Sequence, residues 1–229
     1  MMWAMSYLKN PRGHIVFDCD GTLISSFEAI LEGISEVMST ILEREVPREE
    51  VVANYESDLL ALAHNFGLKP DEDLDLRKRL IKTWEEVAHR GNVEKRHQFR
   101  LFPEIKELLL DLSKEYQLYV WTARDRKSTL YILKDLGVAS YFLDFRCVDD
   151  CDPKPLPAGL EEMVGDIDKD KVIVIGDSPT DIRGAQSFGV KSIAACWADE
   201  NFFKDSDRLE PDFKAKSPKD CLSIINNLF

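Results

Sequence analysis

Residues Ile15–Leu23 have the sequence IVFDCDGTL, an apolar run followed by two aspartates and a glycine. The apolar run predicts a buried strand. Side chains two residues apart on an extended chain project to the same side, so Asp18 and Asp20 can face one small space. Gly21 allows the backbone to turn and a ligand to approach closely. Taken alone, the pattern is also typical of an aspartate-rich turn after a strand, so the decision between a site and a turn depends on the rest of the chain.

Composition limits the classes of protein to which the chain can belong. Its 229 residues are 44% hydrophobic and 31% charged, as in an ordinary globular protein. The net charge of −12 argues against nucleic acid or an anionic membrane as a partner, although a local Mg²⁺ and a few lysines can still attract an anionic small molecule. No apolar run reaches the roughly 18 residues of a membrane span. The five cysteines lack zinc-site spacing and predict a reduced, cytoplasmic location.

Strand-like and helical patterns alternate through most of the chain. Besides 15–17, four short apolar runs predict strands, at 118–121, 142–148, 172–175 and 192–195. Residues 105–112 and 130–136 have apolar positions at helical spacing, and Gly137 and Gly189 follow where helices should end. This alternation predicts an α/β fold, a doubly wound, Rossmann-like parallel sheet with right-handed crossovers.

Residues 25–98 interrupt the alternation. A long apolar stripe with helical spacing begins at Phe27, and Ser25-x-x-Glu28 matches a capping box at its start. More helical pattern follows at 51–66 and 74–88. The sequence therefore predicts a small helical domain at 25–98, inserted into an α/β core that consists of residues 1–24 and 99–229.

Polar residues follow three of the later predicted strands. They are Thr122-Ala123-Arg124, Lys154 within Pro-Lys-Pro-Leu-Pro, and Asp177 and Asp181 within Gly-Asp-Ser-Pro-Thr-Asp at 176–181. Because the carboxyl ends of parallel strands meet at one edge of the sheet, we expect these groups to join Asp18 and Asp20. A hydroxyl, a lysine and four carboxylates at one edge favour a site over an isolated turn.

In this order the motifs resemble those of the haloacid dehalogenase-like (HAD) hydrolase superfamily. The resemblance covers nearly the whole chain, from Asp-x-Asp-Gly-Thr-Leu at 18–23 to the acidic motif at 176–181. It is similar in particular to phosphoglycolate phosphatase-like members, which carry a helical cap domain where residues 25–98 lie. It implies a Mg²⁺-dependent phosphatase that hydrolyses a small phosphorylated metabolite.

The resemblance also implies a role for each acidic residue. Asp18 is the expected nucleophile, which forms an aspartyl-phosphate, and Asp20 the expected general acid and then base. Mg²⁺ is expected on the carboxylate of Asp18, the backbone carbonyl of Asp20 and the carboxylate of Asp177. Asp181 is expected to orient Lys154 or metal-bound water rather than bind the metal.

The remaining residues would bind the phosphoryl group or support the site. The hydroxyl of Thr122 and the ammonium of Lys154 are expected to contact phosphoryl oxygens, with the backbone N–H of Ala123 as a further donor. Arg124 is a candidate substrate contact. Ser178 lies behind the metal ligands and is expected to cap the helix that follows.

Asp20 favours phosphate-ester chemistry, because dehalogenase relatives lack an acid at that position. Two alternatives remain open: a phosphomutase of the β-phosphoglucomutase type, and a non-catalytic module that binds a phosphorylated ligand. The chain departs from the family pattern at Ser25, where an aspartate is frequent, and at Glu104, where glycine is common. The oligomeric state, monomer or homodimer, is left open.

Overall fold

The computed structural model describes residues 7–56, 59–94, 99–198 and 209–229, with the backbone alone described at 89–94. By its contacts the chain divides into two compact units. We call residues 1–25 and 100–229 the α/β unit and residues 26–99 the helical unit.

The α/β unit contains a six-stranded sheet in which every neighbouring pair is parallel. Its strands are β1 (His14–Phe17), β4 (Gln117–Trp121), β5 (Phe142–Arg146), β6 (Val172–Gly176), β7 (Lys191–Ala195) and β8 (Phe213–Ala215). They lie in the order β5-β4-β1-β6-β7-β8. The chain adds strands first on one side of β1 and then on the other, so β1 stands where the strand order reverses. A parallel α/β sheet binds its ligands beside such a reversal, at the carboxyl ends of the strands.

The apolar runs of the sequence form the central strands because both faces of a parallel sheet are covered by helices. Ile15, Val16 and Phe17 are fully buried, and β6 is buried along its whole length. The helices of this unit are α5 (Ile105–Leu112), α6 (Arg126–Asp135), α7 (Ala158–Val164), α8 (Pro179–Phe188) and α9 (Pro218–Leu228). The predicted doubly wound α/β fold is confirmed.

The helix ends in this unit follow the sequence signals. Gly137 and Gly189 have φ values of 72° and 81°, the left-handed conformation expected after a helix. Ser178 caps α8 with a complete capping box to Asp181. The short pair β2 (Ile24–Ser25) and β3 (Arg100–Leu101) forms a separate antiparallel ribbon that the sequence did not predict.

The helical unit contains α1 (Phe27–Leu42), α2 (Arg48–Ala53), α3 (Leu59–Asn65) and α4 (Leu74–Glu94). The predicted stripe of α1 forms its core: Leu31, Ile34, Val37, Met38 and Ile41 are buried in one cluster with residues of the other helices. Among the helices of the described residues, none combines the length and apolar character that a membrane span requires.

The capping box predicted at the start of α1 is wrong. The residue before the helix is Ser26 rather than Ser25, and its side chain makes no capping hydrogen bond. Ser25 instead pairs with Arg100 in the β2–β3 ribbon. Glu28 is engaged by Arg48, whose guanidinium donates to both of its carboxylate oxygens. Ser25 thus belongs to a strand rather than to the cap, and the carboxylate of Glu28 is held by Arg48.

Candidate active site

The carboxylate of Asp18 lies directly beyond the end of β1. Its backbone N–H continues the sheet ladder by donating to the carbonyl of Ile175 on β6 at 2.8 Å, so the residue is fixed at the carboxyl edge. Its side chain accepts a hydrogen bond from Nζ of Lys154 at 2.6 Å. Burial raises the pKa of Asp18 to about 7, with Lys154 opposing the shift and the nearby acids Asp181 and Asp20 adding to it.

Lys154 bridges two carboxylates. Its ammonium donates to Asp18 and, at 2.5 Å, to Oδ1 of Asp181, and its side chain is only 4% exposed. Burial by itself would lower the pKa of Lys154, but the two carboxylates outweigh that effect and raise it above the ordinary value. The lysine therefore stays charged and compensates part of the negative charge at this edge.

Asp181 is held from both ends. One carboxylate oxygen accepts a hydrogen bond from Nζ of Lys154. The other accepts from the backbone N–H of Ser178 at 3.0 Å and from the hydroxyl of Ser178 at 2.7 Å. Gly176, the last residue of β6, makes room for this carboxylate, because a Cβ there would lie 2.3 Å from its Cγ. Asp181 thus supports Lys154 from a fully buried position at the start of α8.

Asp177 approaches the loop that follows β1. A Cβ at Gly21 would lie 2.0 Å from Oδ2 of Asp177, and Gly21 has φ of +80°, so only glycine fits both the space and the backbone. The hydroxyl of Thr22 donates to Oδ1 of Asp177 at 3.2 Å. Burial, together with Asp18 and Asp181, raises the pKa of Asp177 well above its ordinary value.

Three carboxylates lie close together at this edge of the sheet. Asp18, Asp177 and Asp181 each offer an oxygen, and these oxygens lie within 4.8 Å of one another. The raised pKa values of Asp18 and Asp177 express the cost of burying their charges side by side with one lysine for compensation. Hard oxygen donors in an excess of negative charge are the chemistry that Mg²⁺ requires, so the residues present fit that ion.

Asp20 is paired with a different cation. The guanidinium of Arg124 donates from Nε at 2.8 Å and from the second nitrogen at 2.6 Å, one bond to each carboxylate oxygen. This two-bond geometry fixes the orientation of the carboxylate as well as its position. The two aspartates of the opening motif therefore have separate partners, Lys154 for Asp18 and Arg124 for Asp20.

The loop after β4 supplies the remaining predicted groups. Thr122 is buried, and its hydroxyl accepts from the backbone N–H of Arg124 at 3.1 Å. Ala123 lies between them and is exposed. The structure therefore brings Thr122 and Arg124 into one hydrogen-bonded turn, which links to the opening motif through Arg124 and Asp20.

Two contributors were not predicted. Thr22 lies inside the opening motif, yet its bond to Asp177 gives it a role that no sequence argument assigned. Trp121, the last residue of β4, has its ring centroid 4.9 Å from Nζ of Lys154. The available signal for Trp121 was its position directly before Thr122 at a strand end.

Comparison with known proteins identifies related chains. The family model described as haloacid dehalogenase-like hydrolase matches residues 15–195. The pyrophosphatase PpaX of Bacillus cereus is 26% identical over 223 residues, which are 93% of this chain and 96% of that protein.

Solved structures have the same fold. A predicted phosphoglycolate phosphatase from Haemophilus somnus has a TM-score of 0.75 at 22% identity, over 93% of this chain and 97% of that one. The magnesium-bound hydrolase YfnB of Bacillus subtilis has a TM-score of 0.63 at 18% identity, over 95% of this chain and 100% of that one.

Proposed function

Because the chain belongs to the haloacid dehalogenase-like hydrolase family, we propose that it is a Mg²⁺-dependent phosphatase that hydrolyses a small phosphorylated metabolite through an aspartyl-phosphate on Asp18. The observation that carries the proposal is the position of Asp18, which lies at the end of β1, is bonded to Lys154 and is grouped with Asp177 and Asp181. A carboxylate nucleophile needs a neighbouring cation when it meets a phosphate dianion, and this edge supplies one.

The first half of the reaction forms a bond between Asp18 and phosphorus. A carboxylate oxygen of Asp18 attacks, and the bond from phosphorus to the leaving oxygen breaks. Asp20 donates a proton to that oxygen, which requires it first to leave Arg124 and to take up a proton from solvent. Lys154 and the hydroxyl of Thr122 bind the phosphoryl oxygens as their charge develops.

The second half returns Asp18 to its starting state. Water attacks the phosphorus of the aspartyl-phosphate, and the bond between phosphorus and the oxygen of Asp18 breaks. Asp20 accepts the proton of that water, and inorganic phosphate leaves with the oxygen of the water. Asp181 holds Lys154 in place throughout, because both of its carboxylate oxygens are already engaged by Lys154 and Ser178.

We assign the metal to the carboxylates of Asp18 and Asp177 and the backbone carbonyl of Asp20, with Asp181 behind them. When bound, Mg²⁺ supplies the positive charge that offsets repulsion between the carboxylate and the phosphoryl oxygens. This chain's own contribution is the set of oxygens held together at the strand ends.

The choice of substrate class draws on the relatives. PpaX of Bacillus cereus is named as a pyrophosphatase and the Haemophilus somnus protein as a phosphoglycolate phosphatase, and both substrates are small phosphorylated anions. We assign a substrate of this class to the present chain, with Arg124 and the backbone N–H of Ala123 as further contacts. We also assign the helical unit the role of the family's cap domain.

Phosphate release from p-nitrophenyl phosphate tests the proposal. We expect turnover that requires Mg²⁺, disappears in EDTA and is abolished in Asp18→Asn. The matched control is Asp166→Asn, which makes the same chemical change at an exposed position of the α/β unit and should leave turnover unchanged. Hydrolysis that survives both EDTA and Asp18→Asn would contradict the mechanism.

A second measurement identifies the intermediate. Enzyme quenched in acid during turnover and reduced with borohydride should carry homoserine in place of Asp18, which mass spectrometry of the peptide detects. Phosphate transfer to a sugar-phosphate acceptor in place of water would identify a mutase. Binding of vanadate without any turnover would identify a non-catalytic module.

A further inference from the structure

Trp121 lies beside the lysine of the candidate active site. It is the last residue of β4 and is 2% exposed, and the ring centroid is 4.9 Å from Nζ of Lys154. An ammonium within about 6 Å of an indole centroid is attracted by the negative face of the ring, most strongly where water is excluded. Since the lysine side chain is itself 4% exposed, this contact belongs to the water-excluded kind.

Two glycines leave space for the indole. On α7, a Cβ at Gly159 would lie 2.6 Å from the indole nitrogen Nε1. On α8, a Cβ at Gly184 would lie 2.3 Å from Cη2 at the other end of the ring. Both distances are far shorter than real carbon contacts, so the backbones of two helices touch opposite edges of the indole. The two helices therefore fix the position of the ring independently of the lysine.

The indole adds a constraint that the carboxylates do not supply. Lys154 donates to Asp18 and Asp181, and two such bonds still allow an ammonium to pivot about the line that joins their acceptors. A ring fixed at 4.9 Å limits that pivot on its own side. The ammonium has a third N–H, and a fixed orientation would direct it to one position, where a phosphoryl oxygen could accept it.

We propose that Trp121 is a positioning residue that acts through Lys154, and that Gly159 and Gly184 are the helix positions that fix it. The inference rests on the proposed function, in which Lys154 binds the phosphoryl group. Charge on the phosphoryl oxygens differs between the bound substrate and the transition state, so a misplaced ammonium should lower kcat more than it raises KM.

Substitution of the ring tests the proposal. Trp121→Leu should lower kcat for p-nitrophenyl phosphate by about tenfold or more, as expected for loss of a desolvated cation–π contact, with KM changed by less than about threefold. Trp121→Phe keeps an aromatic face and should recover most of that loss. All rates are measured at saturating Mg²⁺ and at a temperature where circular dichroism shows each variant folded.

The matched control is Tyr119→Leu. Tyr119 lies on the same strand two residues earlier, is buried at 4% exposure and belongs to the same apolar cluster as Trp121. Its change to leucine removes an equivalent aromatic ring from the core and should leave kcat within about twofold of wild type. A fall in Tyr119→Leu as large as that in Trp121→Leu, or equal rates in Trp121→Leu and Trp121→Phe, would overturn the proposal.

A spectroscopic readout separates this proposal from the proposed function. The methylene next to Nζ of Lys154 should be shielded by the ring current of Trp121 and give an upfield proton signal in protein labelled with ¹³C-lysine. The signal, assigned by its absence in Lys154→Met, should persist in Tyr119→Leu and vanish in Trp121→Leu. If the wild type is inactive but its signal is shielded, the result counts against the proposed phosphatase activity alone. If the wild type is active but its signal is not shielded, the result counts against the role of Trp121 alone.

Gly184→Ala tests the same contact from the opposite helix. Its new Cβ would collide with the indole, so the variant should lower kcat in the wild-type background. In a Trp121→Leu background the smaller side chain leaves space, and the added alanine should have little further effect. Additive losses in the double variant would show that Gly184 does not act through the indole and would overturn that part of the proposal.

Discussion

Two ion pairs, one in each unit of this protein, lie in opposite environments. At the strand ends of the α/β unit, Lys154 and its partners Asp18 and Asp181 are at most 10% exposed. In the described part of the helical unit, Arg48 and Glu28 form an equally short pair with side chains 46% and 65% exposed. The two pairs therefore differ in interaction energy although their distances are similar, because water screens the exposed pair and barely reaches the buried one. Burial, rather than bond length, therefore distinguishes the two pairs.

The largest expected difference comes from removing one lysine in each unit. Lys154→Met should lower kcat by about a thousandfold, since it removes a preorganised cation from the reacting groups. It should also lower the free energy of unfolding by about 3 kcal/mol, because Asp18 and Asp181 lose their buried partner. Steady-state kinetics and urea unfolding measure the two effects.

Lys69→Met is the matched control in the helical unit. Lys69 also pairs with an acid, Glu72 at 3.0 Å, but both side chains are about two-thirds exposed, at 66% and 69%. We expect unchanged kcat and an unchanged urea midpoint. An equal loss in the two variants would show that burial does not distinguish the pairs.

The next effect is a pH dependence that belongs to Asp18. In the metal-free protein its folded pKa, about 7, is raised from the ordinary value of 3.8 by burial. Between these values the folded state retains a proton that the unfolded chain has released, so the free energy of unfolding falls as pH rises through this window. Below it the contribution is fully present, and above it the contribution is lost.

Asp18→Asn isolates this contribution. The free energy of unfolding of wild type minus that of Asp18→Asn, measured in EDTA, should fall by up to roughly 4 kcal/mol from pH 4 to pH 7 and then level off. Asp75→Asn, at an exposed position of α4, should give no such slope. A difference curve that rises with pH would show that the pKa of Asp18 is lowered on folding rather than raised.

Two glycines with the same backbone conformation make a sharper comparison. Gly21 and Gly67 have φ of +80° and +77°, yet a Cβ at Gly21 collides with Asp177 whereas one at Gly67 meets nothing within 4 Å. Alanine should therefore cost about 1 to 2 kcal/mol of backbone strain at either position. Gly21→Ala alone should also displace Asp177, lower kcat about a hundredfold and weaken the dependence on Mg²⁺.

Kinetics at several Mg²⁺ concentrations check this comparison. Gly67→Ala serves as the control for strain, because it changes the same backbone conformation in the helical unit without a collision. If both variants keep the wild-type kcat, the close approach of Asp177 to the loop is not needed for turnover.

Much of the α/β unit could be predicted because its strands are buried on both faces. Such strands appear in the sequence as continuous apolar runs, and β1, β4, β6 and β7 were recognised in that way. The three-residue strand β8 contains Lys214 at the edge of the sheet and is too short to show a period. The two-residue strands β2 and β3 are formed by pairing between distant segments, which leaves no local signal.

The candidate site could likewise be predicted where local sequence motifs determine it, and not where it depends on contacts between distant segments. Parallel topology brings Asp18, Lys154 and Asp181 to one edge, so their meeting could be predicted from the motifs. The pairing of Lys154 with Asp181 was expected from the family resemblance. The pairing of Asp20 with Arg124 could not be predicted, because it depends on side-chain reach across the fold. Asp20 is paired with Arg124, 104 residues away, and the indole of Trp121 lies against glycines on two helices.

The smallest expected effect concerns backbone strain, which can be compared at one position in each unit. Each unit has one described non-glycine residue with positive φ: Glu43 at 53° after α1 and Glu104 at 66° before α5. Replacing either with glycine relieves strain but adds freedom to the unfolded chain, so each should raise the free energy of unfolding by about 0.5 to 1 kcal/mol. Glu107→Gly, inside α5, should lower it by about 1 kcal/mol. Equal gains at Glu43 and Glu104, measured by urea unfolding, would show that the two units bear the same kind of backbone strain. A loss at Glu104 would instead indicate that its side chain stabilises the start of α5.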